Sequence, residues 1–219
     1  MELVLNLRVF INLLILIVAV FLFPLHVNAH KKEQNHNEEG QERIKSSGRL
    51  YQLAVIKPAP DFALVDLKGE RLGLKDLKDK IKIVNFIYTS CPSMCPIIIR
   101  RLSSLQQVLK RERLIGEKVE IISITLDPER DTVQKLKNYA DGFRAGGDGW
   151  LFLRGTVEQT KKVLLDYDIW VKKLEDGTID HVMRIYFIDG KNRIREIYNL
   201  AFLQPELVVR DIEVVLSEN

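Results

Sequence analysis

A nearly continuous apolar segment, residues 81–88, leads directly into the only two cysteines of the chain, Cys91 and Cys95. β-Branched and aromatic residues dominate this segment, which is typical of a strand that is buried on both faces of a sheet. Apolar residues then recur at helical spacing over residues 97–110. A buried strand followed by an amphipathic helix favours an α/β fold, and it places the cysteine pair where the strand passes into the helix.

The predicted position of the cysteine pair at a helix start has chemical consequences. The first N–H groups of a helix lack intrahelical acceptors and carry a partial positive charge, so they stabilise a thiolate over a thiol. A spacing of four residues predicts that both sulfurs lie on one face of the first turn, close enough to hold one metal ion or to oxidise together. A structural disulfide is less favoured, because so short a loop constrains the unfolded chain little. We expect Cys91 to be the exposed thiol and the better nucleophile.

The N-terminal part of the chain differs from the rest in composition. Residues 9–25 are almost wholly apolar and follow Arg8. Such a segment is about long enough to cross a bilayer, and the small residues that end at Ala29 are typical of a signal-peptidase site. We interpret residues 1–29 as a cleaved signal peptide or a retained membrane anchor. Either one predicts an extracytoplasmic protein on the periplasmic side, membrane-anchored or secreted.

Residues 30–49 are rich in polar and charged side chains and predict a solvated linker. This linker contains His30 and His36, and His30 would be able to bind copper loosely as a free N-terminus after cleavage, although a polar tether is the favoured interpretation. Residues 50–219 have the length of one ordinary domain. The 33 basic and 30 acidic residues are mixed along the chain without a basic block, so the sequence gives no support for nucleic-acid binding.

Within residues 50–219, the order of apolar patterns predicts an α/β sheet flanked by helices. A β-hairpin is expected over residues 61–74, followed by a short helical turn. Further strands are expected at residues 119–126, 150–153, 169–174, 182–188 and 193–198, and further helices at residues 133–139, 156–167 and 205–216.

His181 is the third candidate ligand, because it is the only histidine in the predicted domain and directly precedes the predicted strand at residues 182–188. Strand ends gather at one edge of an α/β sheet, where His181 would be able to face the cysteine pair. Two thiolates and one imidazole suit Cu(I), accept Cu(II) with added ligands, and are compatible with zinc. The alternative, a histidine that pairs with Asp180 or a backbone carbonyl, stays open, as does an orienting role for Asp180. Met94 is a further soft sulfur, for which packing is the favoured role.

Five segments occur in an order and spacing that resemble those of a known family. They are KPAPDF at residues 57–62, TSCPSMCP at residues 89–96, LDPERDT at residues 126–132, WLFLRGT at residues 150–156, and Asp180-His181. Together they resemble the Sco/SenC family of copper proteins, which are assembly factors for the Cu(A) centre of cytochrome c oxidase. The resemblance covers nearly all of residues 50–217.

The resemblance implies a thioredoxin-like fold, in which a central mixed β-sheet is flanked by helices and accompanied by an N-terminal β-hairpin and an extra hairpin. It also implies that Cys91, Cys95 and His181 match the copper ligands of the family. Asp127 matches a family loop near the site and is a candidate for supporting metal binding or partner docking, with a strand end and helix cap as the alternative.

Two functions follow from these residues and this resemblance. The leading hypothesis is a copper chaperone that binds one copper ion through Cys91, Cys95 and His181 and delivers it to the copper-bearing subunit of cytochrome c oxidase. Other copper chaperones and thiol reductants are candidate further partners. The alternative is an enzyme, a thiol-disulfide reductase whose redox pair is Cys91 and Cys95 and which keeps the oxidase cysteines reduced. Ordinary thioredoxins place a proline before the strand that faces their cysteines, and residues 129–204 contain none, which favours the metal carrier.

Overall fold

The structure, a computed structural model, describes residues 52–218. The predicted signal peptide or anchor at residues 1–29, the linker at residues 30–49, and His30 and His36 therefore lie outside the described residues. The described part belongs to one compact unit, Ser46–Asn219. Within residues 52–218, no helix combines the length and the apolar character that crossing a bilayer requires.

Strands and helices alternate along much of the described chain. The strands are β1 (Lys57–Pro58), β2 (Ala63–Val65), β3 (Arg71–Gly73), β4 (Ile81–Ile87), β5 (Val119–Thr125), β6 (Trp150–Leu153), β7 (Val171–Lys173), β8 (Ile179–His181), β9 (Ile185–Ile188) and β10 (Arg193–Tyr198). The helices are α1 (Met94–Arg111), α2 (Val133–Gly142), α3 (Val157–Asp166) and α4 (Pro205–Leu216), and a short 3₁₀ helix covers Leu74–Leu77.

A six-stranded mixed sheet forms the centre of the domain, in the order β1-β10-β9-β4-β5-β6. β4, β5 and β6 run parallel, whereas β9 is antiparallel to β4, β10 to β9, and β1 to β10. β2 pairs with β3, and β7 pairs with β8, as two separate antiparallel hairpins. The predicted thioredoxin-like fold, with its central mixed sheet and two hairpins, is confirmed.

The two central strands β4 and β5 are buried at every position, as the apolar runs in the sequence predict. Helix α1 covers this sheet with one apolar face, which includes the buried side chains of Ile98, Leu102, Leu105 and Leu109. It also packs against α4. This packing fixes the start of α1 beside the carboxyl end of β4, which is the edge of the sheet where the cysteine pair lies.

Helix α1 begins at Met94, three residues before the predicted start at residue 97. Pro96 is compatible with the first turn, because an N–H group at that position has no intrahelical acceptor to lose. Cys95 therefore lies inside the first turn of α1, whereas Cys91 lies in the turn that precedes the helix. The predicted placement of both sulfurs on one face of a helical turn is wrong for Cys91.

The predicted strand at residues 182–188 is wrong in its first half, since β9 begins only at Ile185. His181 does not directly precede that strand but ends β8, where it pairs with Val171 of β7. The hairpin forms because its turn is well suited to a reversal: Gly177 has a positive φ of 80°, and the Asp176 carboxylate accepts hydrogen bonds from Thr178. This local pairing competes with extension of β9 and separates the histidine from the central sheet.

Lys82 places a charge in the interior at the opposite end of β4 from the cysteine pair. Its Nζ donates hydrogen bonds to Asn192 Oδ1 at 2.7 Å and to the carbonyl oxygen of Asp189 at 3.2 Å. Burial lowers the pKa of the ammonium group to about 8, and the negative charges of Asp189 and Asp79 only partly offset this effect. The charged form of Lys82 therefore costs the folded state free energy near neutral pH.

Replacing Lys82 with methionine removes this buried charge and keeps most of the side-chain length. The folded-state pKa of Lys82, about 8, lies below its unfolded value of 10.5. Between these pH values the unfolded wild type binds more protons than the folded wild type, so the wild type becomes more stable as the pH rises. We expect the difference in unfolding free energy in favour of Lys82→Met to be largest below about pH 8. It should shrink by about 1–3 kcal/mol by about pH 10.5, measured by urea denaturation across this range.

Lys161→Met, at an exposed lysine of α3, is the matched control for the loss of a lysine charge. A stability difference between wild type and Lys82→Met that stays constant across the pH range would contradict the buried-charge account.

Candidate metal centre

Cys91 lies in the turn between β4 and α1, Cys95 lies in the first turn of α1, and both are held by hydrogen bonds of their backbone N–H groups. The Cys91 N–H donates to the carbonyl oxygen of Tyr88 at 3.2 Å, and the Cys95 N–H donates to the Cys91 sulfur at 3.4 Å. Both residues are free thiols. Cys91 is 8% exposed and Cys95 is fully buried. The prediction of an exposed Cys91 is wrong, because its sulfur turns inward and accepts from the Cys95 N–H, although it remains the more accessible of the two.

The two thiols have opposite acid–base properties. The pKa of Cys91 is lowered to about 4, mainly because the Cys95 thiol donates a hydrogen bond to its sulfur, with further donors in the N–H groups of Cys95 and Ser93 and the hydroxyl of Tyr88. The same bond, together with burial, raises the pKa of Cys95 far above the ordinary range. In the reduced protein near neutral pH, Cys91 is therefore the thiolate and Cys95 carries the proton that the pair shares.

Tyr88 is a functional residue that the sequence analysis did not single out. It follows β4 directly and is only 2% exposed. Its hydroxyl accepts a hydrogen bond from the Ile179 N–H at 3.2 Å and donates to Cys91, while its ring packs edge-on against His181 with centroids 6.2 Å apart. Tyr88 therefore joins the cysteine turn to the strand that carries His181. Its signal in the sequence is a hydroxyl directly after a largely apolar strand, next to the cysteine motif.

His181 lies on the inner face of β8 and is half-buried. Because side chains alternate along a strand, the buried Ile179 shares this face, whereas Asp180 points to the other side and is exposed. The Nδ1 atom of His181 lies 3.1 Å from the carbonyl oxygen of Val182. The carbonyl of Val182, and not Asp180, therefore contacts the imidazole.

Asp131 holds the start of the cysteine turn through hydrogen bonds to its carboxylate. Its fully buried carboxylate accepts hydrogen bonds from the Thr89 N–H at 3.1 Å, from the Thr89 hydroxyl at 2.5 Å and from the Thr125 hydroxyl at 2.5 Å. Three donors satisfy the buried charge, which makes its burial tolerable. The Tyr139 hydroxyl also lies in this region, and burial, with contributions from the two cysteines and Asp131, raises its pKa.

Asp127 is buried at the end of β5, where its carboxylate pairs with Arg130. The predicted helix cap is wrong for this residue, since the cap of α2 is Thr132, whose hydroxyl accepts from the Lys135 N–H. Met94, as the first residue of α1, is half-buried.

The structure brings the two cysteines into direct contact but does not bring His181 into the same group. In the described part of the chain, residues 52–218, no set of three or more His, Cys, Asp or Glu side chains lies close enough together to hold a metal ion. His181 is nevertheless connected to the pair through Tyr88, which contacts both. The chemistry of the three donors, two soft sulfurs and an imidazole, fits copper.

The alkylation rate of Cys91 reports the acidity of its thiol. Because the pKa of Cys91 is lowered to about 4, its thiolate predominates throughout the neutral range. We expect the rate with iodoacetamide to be nearly constant between about pH 5 and pH 8, whereas an ordinary cysteine reacts about tenfold faster for each pH unit over this range. Mass spectrometry identifies the modified residue.

Cys95→Ala is the matched control, because it removes the thiol that donates to Cys91. The pH profile of Cys91 in that variant should shift upward. A wild-type rate that rises steadily between about pH 5 and pH 8 would show that Cys91 has an ordinary thiol pKa.

Similarity to known proteins covers most of the described domain. Residues 54–217 match the SCO1/SenC family model. The SCO1 protein homolog of Bacillus subtilis is 30% identical over 141 residues, which cover 63% of this chain and 72% of that protein.

Solved structures show the same relationship. A SCO1/SenC family lipoprotein from Bacillus anthracis superposes with a TM-score of 0.68 at 26% identity and covers 76% of this chain and 99% of its own. The structure of Bradyrhizobium japonicum ScoI with copper bound superposes with a TM-score of 0.63 at 31% identity, covering 72% of this chain and 99% of its own. From the family match over residues 54–217 and these structural likenesses, we conclude that the chain belongs to the SCO1/SenC family.

Proposed function

We propose that this protein is a copper chaperone, in which Cys91, Cys95 and His181 hold one copper ion and deliver it to the Cu(A) site of cytochrome c oxidase during assembly. The observation that carries this proposal is the hydrogen bond between the Cys95 and Cys91 side chains, beside the hairpin that bears His181. The copper-bound structure of Bradyrhizobium japonicum ScoI and the family's link to copper binding in oxidase assembly support it. Copper is the cargo, so no substrate bond is made or broken.

The protonation states of the two thiols favour copper binding with a defined proton balance. Cys91 is already a thiolate, whereas Cys95 must release its proton before it can bind metal. A carbonyl oxygen only accepts hydrogen bonds, so the contact with Val182 assigns the proton of neutral His181 to Nδ1 and leaves the lone pair on Nε2 for a metal. Binding to the reduced protein therefore releases about one proton from the cysteine pair per copper ion.

Completion of the three-ligand site requires His181 to approach the cysteine pair. The hairpin β7–β8 is a two-stranded sheet separate from the central one, so it can shift without breaking the main ladder. A third ligand that moves is useful to a carrier. Copper must leave by stepwise exchange onto the thiolates of a client, and loss of the imidazole opens the site for that exchange.

The cellular context belongs to the same proposal. We place the domain in an extracytoplasmic compartment, membrane-anchored or secreted, with the copper-bearing oxidase subunit as its client and other copper chaperones or thiol reductants as further partners. The lipoprotein relative from Bacillus anthracis supports such a location.

A second candidate function is reduction of a client disulfide, which the split acidity of the pair favours. The Cys91 thiolate attacks one client sulfur, a mixed disulfide forms, and the first client thiolate leaves. Cys95 then gives up its proton, attacks the Cys91 sulfur and releases the second client thiolate. The pair is oxidised by two electrons and the client disulfide is reduced. This reaction does not need His181 as a ligand.

Replacing His181 with alanine distinguishes the two functions. We expect the reduced wild type to bind one copper ion per chain, and His181→Ala to lower the affinity by about 10–100-fold or more, because the imidazole donor is lost. Metal analysis and competition with a chelator measure this effect, in a chain whose His26, His30 and His36 are replaced by alanine. Reduction of a disulfide peptide that carries the client cysteines is followed in the same variants.

Asp180→Ala is the matched control, because Asp180 neighbours His181 but faces outward. It should retain wild-type affinity. If the wild type binds no copper tightly, or if His181→Ala binds it equally well, the carrier loses its site and disulfide reduction becomes the better account.

A further inference from the structure

The hairpin β7–β8, which carries His181, is tied to the rest of the domain at its turn by Arg130. The guanidinium Nη1 donates a hydrogen bond to the carbonyl oxygen of Gly177 at 2.6 Å. Its Nε donates to the carboxylate of Asp127, which is only 4% exposed at the end of β5. Arg130 therefore bridges the carboxyl end of a central strand and the turn of the hairpin.

The segment that bears Arg130, residues 127–131, is itself held by several hydrogen bonds. The Asp127 N–H donates to the Thr125 hydroxyl at 3.0 Å, and the Asp127 carbonyl accepts from the N–H groups of Arg130 at 3.2 Å and Asp131 at 2.9 Å. The carboxylate of Asp131 in turn holds Thr89, two residues before Cys91. One short turn thus supports both halves of the candidate site, the cysteines through Asp131 and the histidine hairpin through Arg130.

The contact at Gly177 is close enough to His181 to control its position. Three residues lie between them, and β8 is paired in register with β7, so the hairpin transmits a shift of its turn along β8. The Tyr88 hydroxyl holds the same strand at the Ile179 N–H. An arginine suits the bridge, because its planar fork presents separate N–H groups to a carboxylate and a carbonyl at once.

We propose that Arg130 is a positioning residue for copper: it anchors the turn of the β7–β8 hairpin at Gly177, and so restricts the shift of the hairpin to one that brings His181 to a copper ion on Cys91 and Cys95. This inference rests on the proposed three-ligand site and adds to it the residue that sets the third ligand. Arg130 touches neither cysteine in this account, and its effect on copper passes through His181.

Arg130→Lys tests this role, because it keeps a positive charge beside the buried Asp127 and so preserves the fold. The ammonium group of lysine has a single nitrogen, so it lacks the second nitrogen that donates to the Gly177 carbonyl in the wild type. Arg154→Lys is the matched control: its Nη2 donates to the carbonyl oxygen of Pro128 at 3.0 Å, so it contacts the same turn without contacting the hairpin. All variants are made in the full chain with His26, His30 and His36 replaced by alanine, and copper is the probe.

We expect Arg130→Lys to lower copper affinity by about tenfold or more, as loss of an outer partner of a metal ligand commonly does. In the Cu(II) form, the nitrogen hyperfine coupling of the imidazole should weaken, whereas the sulfur-to-copper absorption from the cysteines persists. Amide hydrogen exchange over residues 171–181 of the metal-free protein should become faster. Arg154→Lys should match the wild type in all three measurements.

A double-mutant cycle with His181→Ala decides whether the effect passes through the histidine. In the His181→Ala background, Arg130→Lys should cause no further loss of affinity. An equal loss in both backgrounds, or an Arg130→Lys variant that matches Arg154→Lys, would overturn the positioning role. If His181→Ala itself leaves copper binding unchanged, the proposed ligand set fails and this inference fails with it. If only His181→Ala weakens binding, the inference alone fails.

Discussion

The hydrogen bonds of the buried Asp131 carboxylate hold the cysteine turn on the end of the central sheet. β4 and β5 are paired in parallel over seven residues each, so their carboxyl ends meet at one edge. Asp131 joins these ends by accepting from Thr125, the last residue of β5, and from Thr89, which follows β4. The turn that contains Cys91 then has little freedom, because α1, which contains Cys95, fixes its far end. The acidity of Cys91 follows from this placement, since its sulfur meets the Cys95 thiol and several N–H and O–H donors.

Because one proton is shared between the two sulfurs, the pair is suited both to disulfide exchange and to metal binding. As a thiolate with a buried partner thiol, Cys91 is suited to attack a disulfide and Cys95 to resolve the product. With the second proton removed, the same sulfurs are soft donors for copper. Only the third donor separates the two functions, and it resides on a hairpin outside the central sheet. In the proposed carrier, the contacts of Tyr88 and Arg130 with that hairpin therefore bear on whether the third donor reaches the metal.

The sequence predicts the central part of the domain well, because its physical signals are local. The apolar runs of β4 and β5, the helical spacing in α1 and the turn residues around residues 175–177 each determine their element with little help from the rest of the chain. The cysteine pair is evident from its spacing. The surroundings of His181 are different, since residues 182–188 are mostly apolar and predict one strand, whereas pairing of residues 179–181 with β7 separates the histidine from β9.

The features that the sequence did not reveal are tertiary. Burial of Cys91 depends on donors that approach its sulfur from the folded turn, and no local pattern encodes them. The role of Arg130 depends on a carbonyl 47 residues away. Its position within the LDPERDT segment offered a signal, but the segment alone does not show which group the guanidinium meets.

The most direct test of the account is the X-ray absorption fine structure at the copper edge of the reduced, copper-loaded protein. The account predicts a first coordination shell of sulfur from Cys91 and Cys95 together with nitrogen from His181, and loss of the nitrogen component in His181→Ala. A shell of nitrogen and oxygen without two sulfurs, or one that His181→Ala leaves unchanged, would contradict the proposed centre.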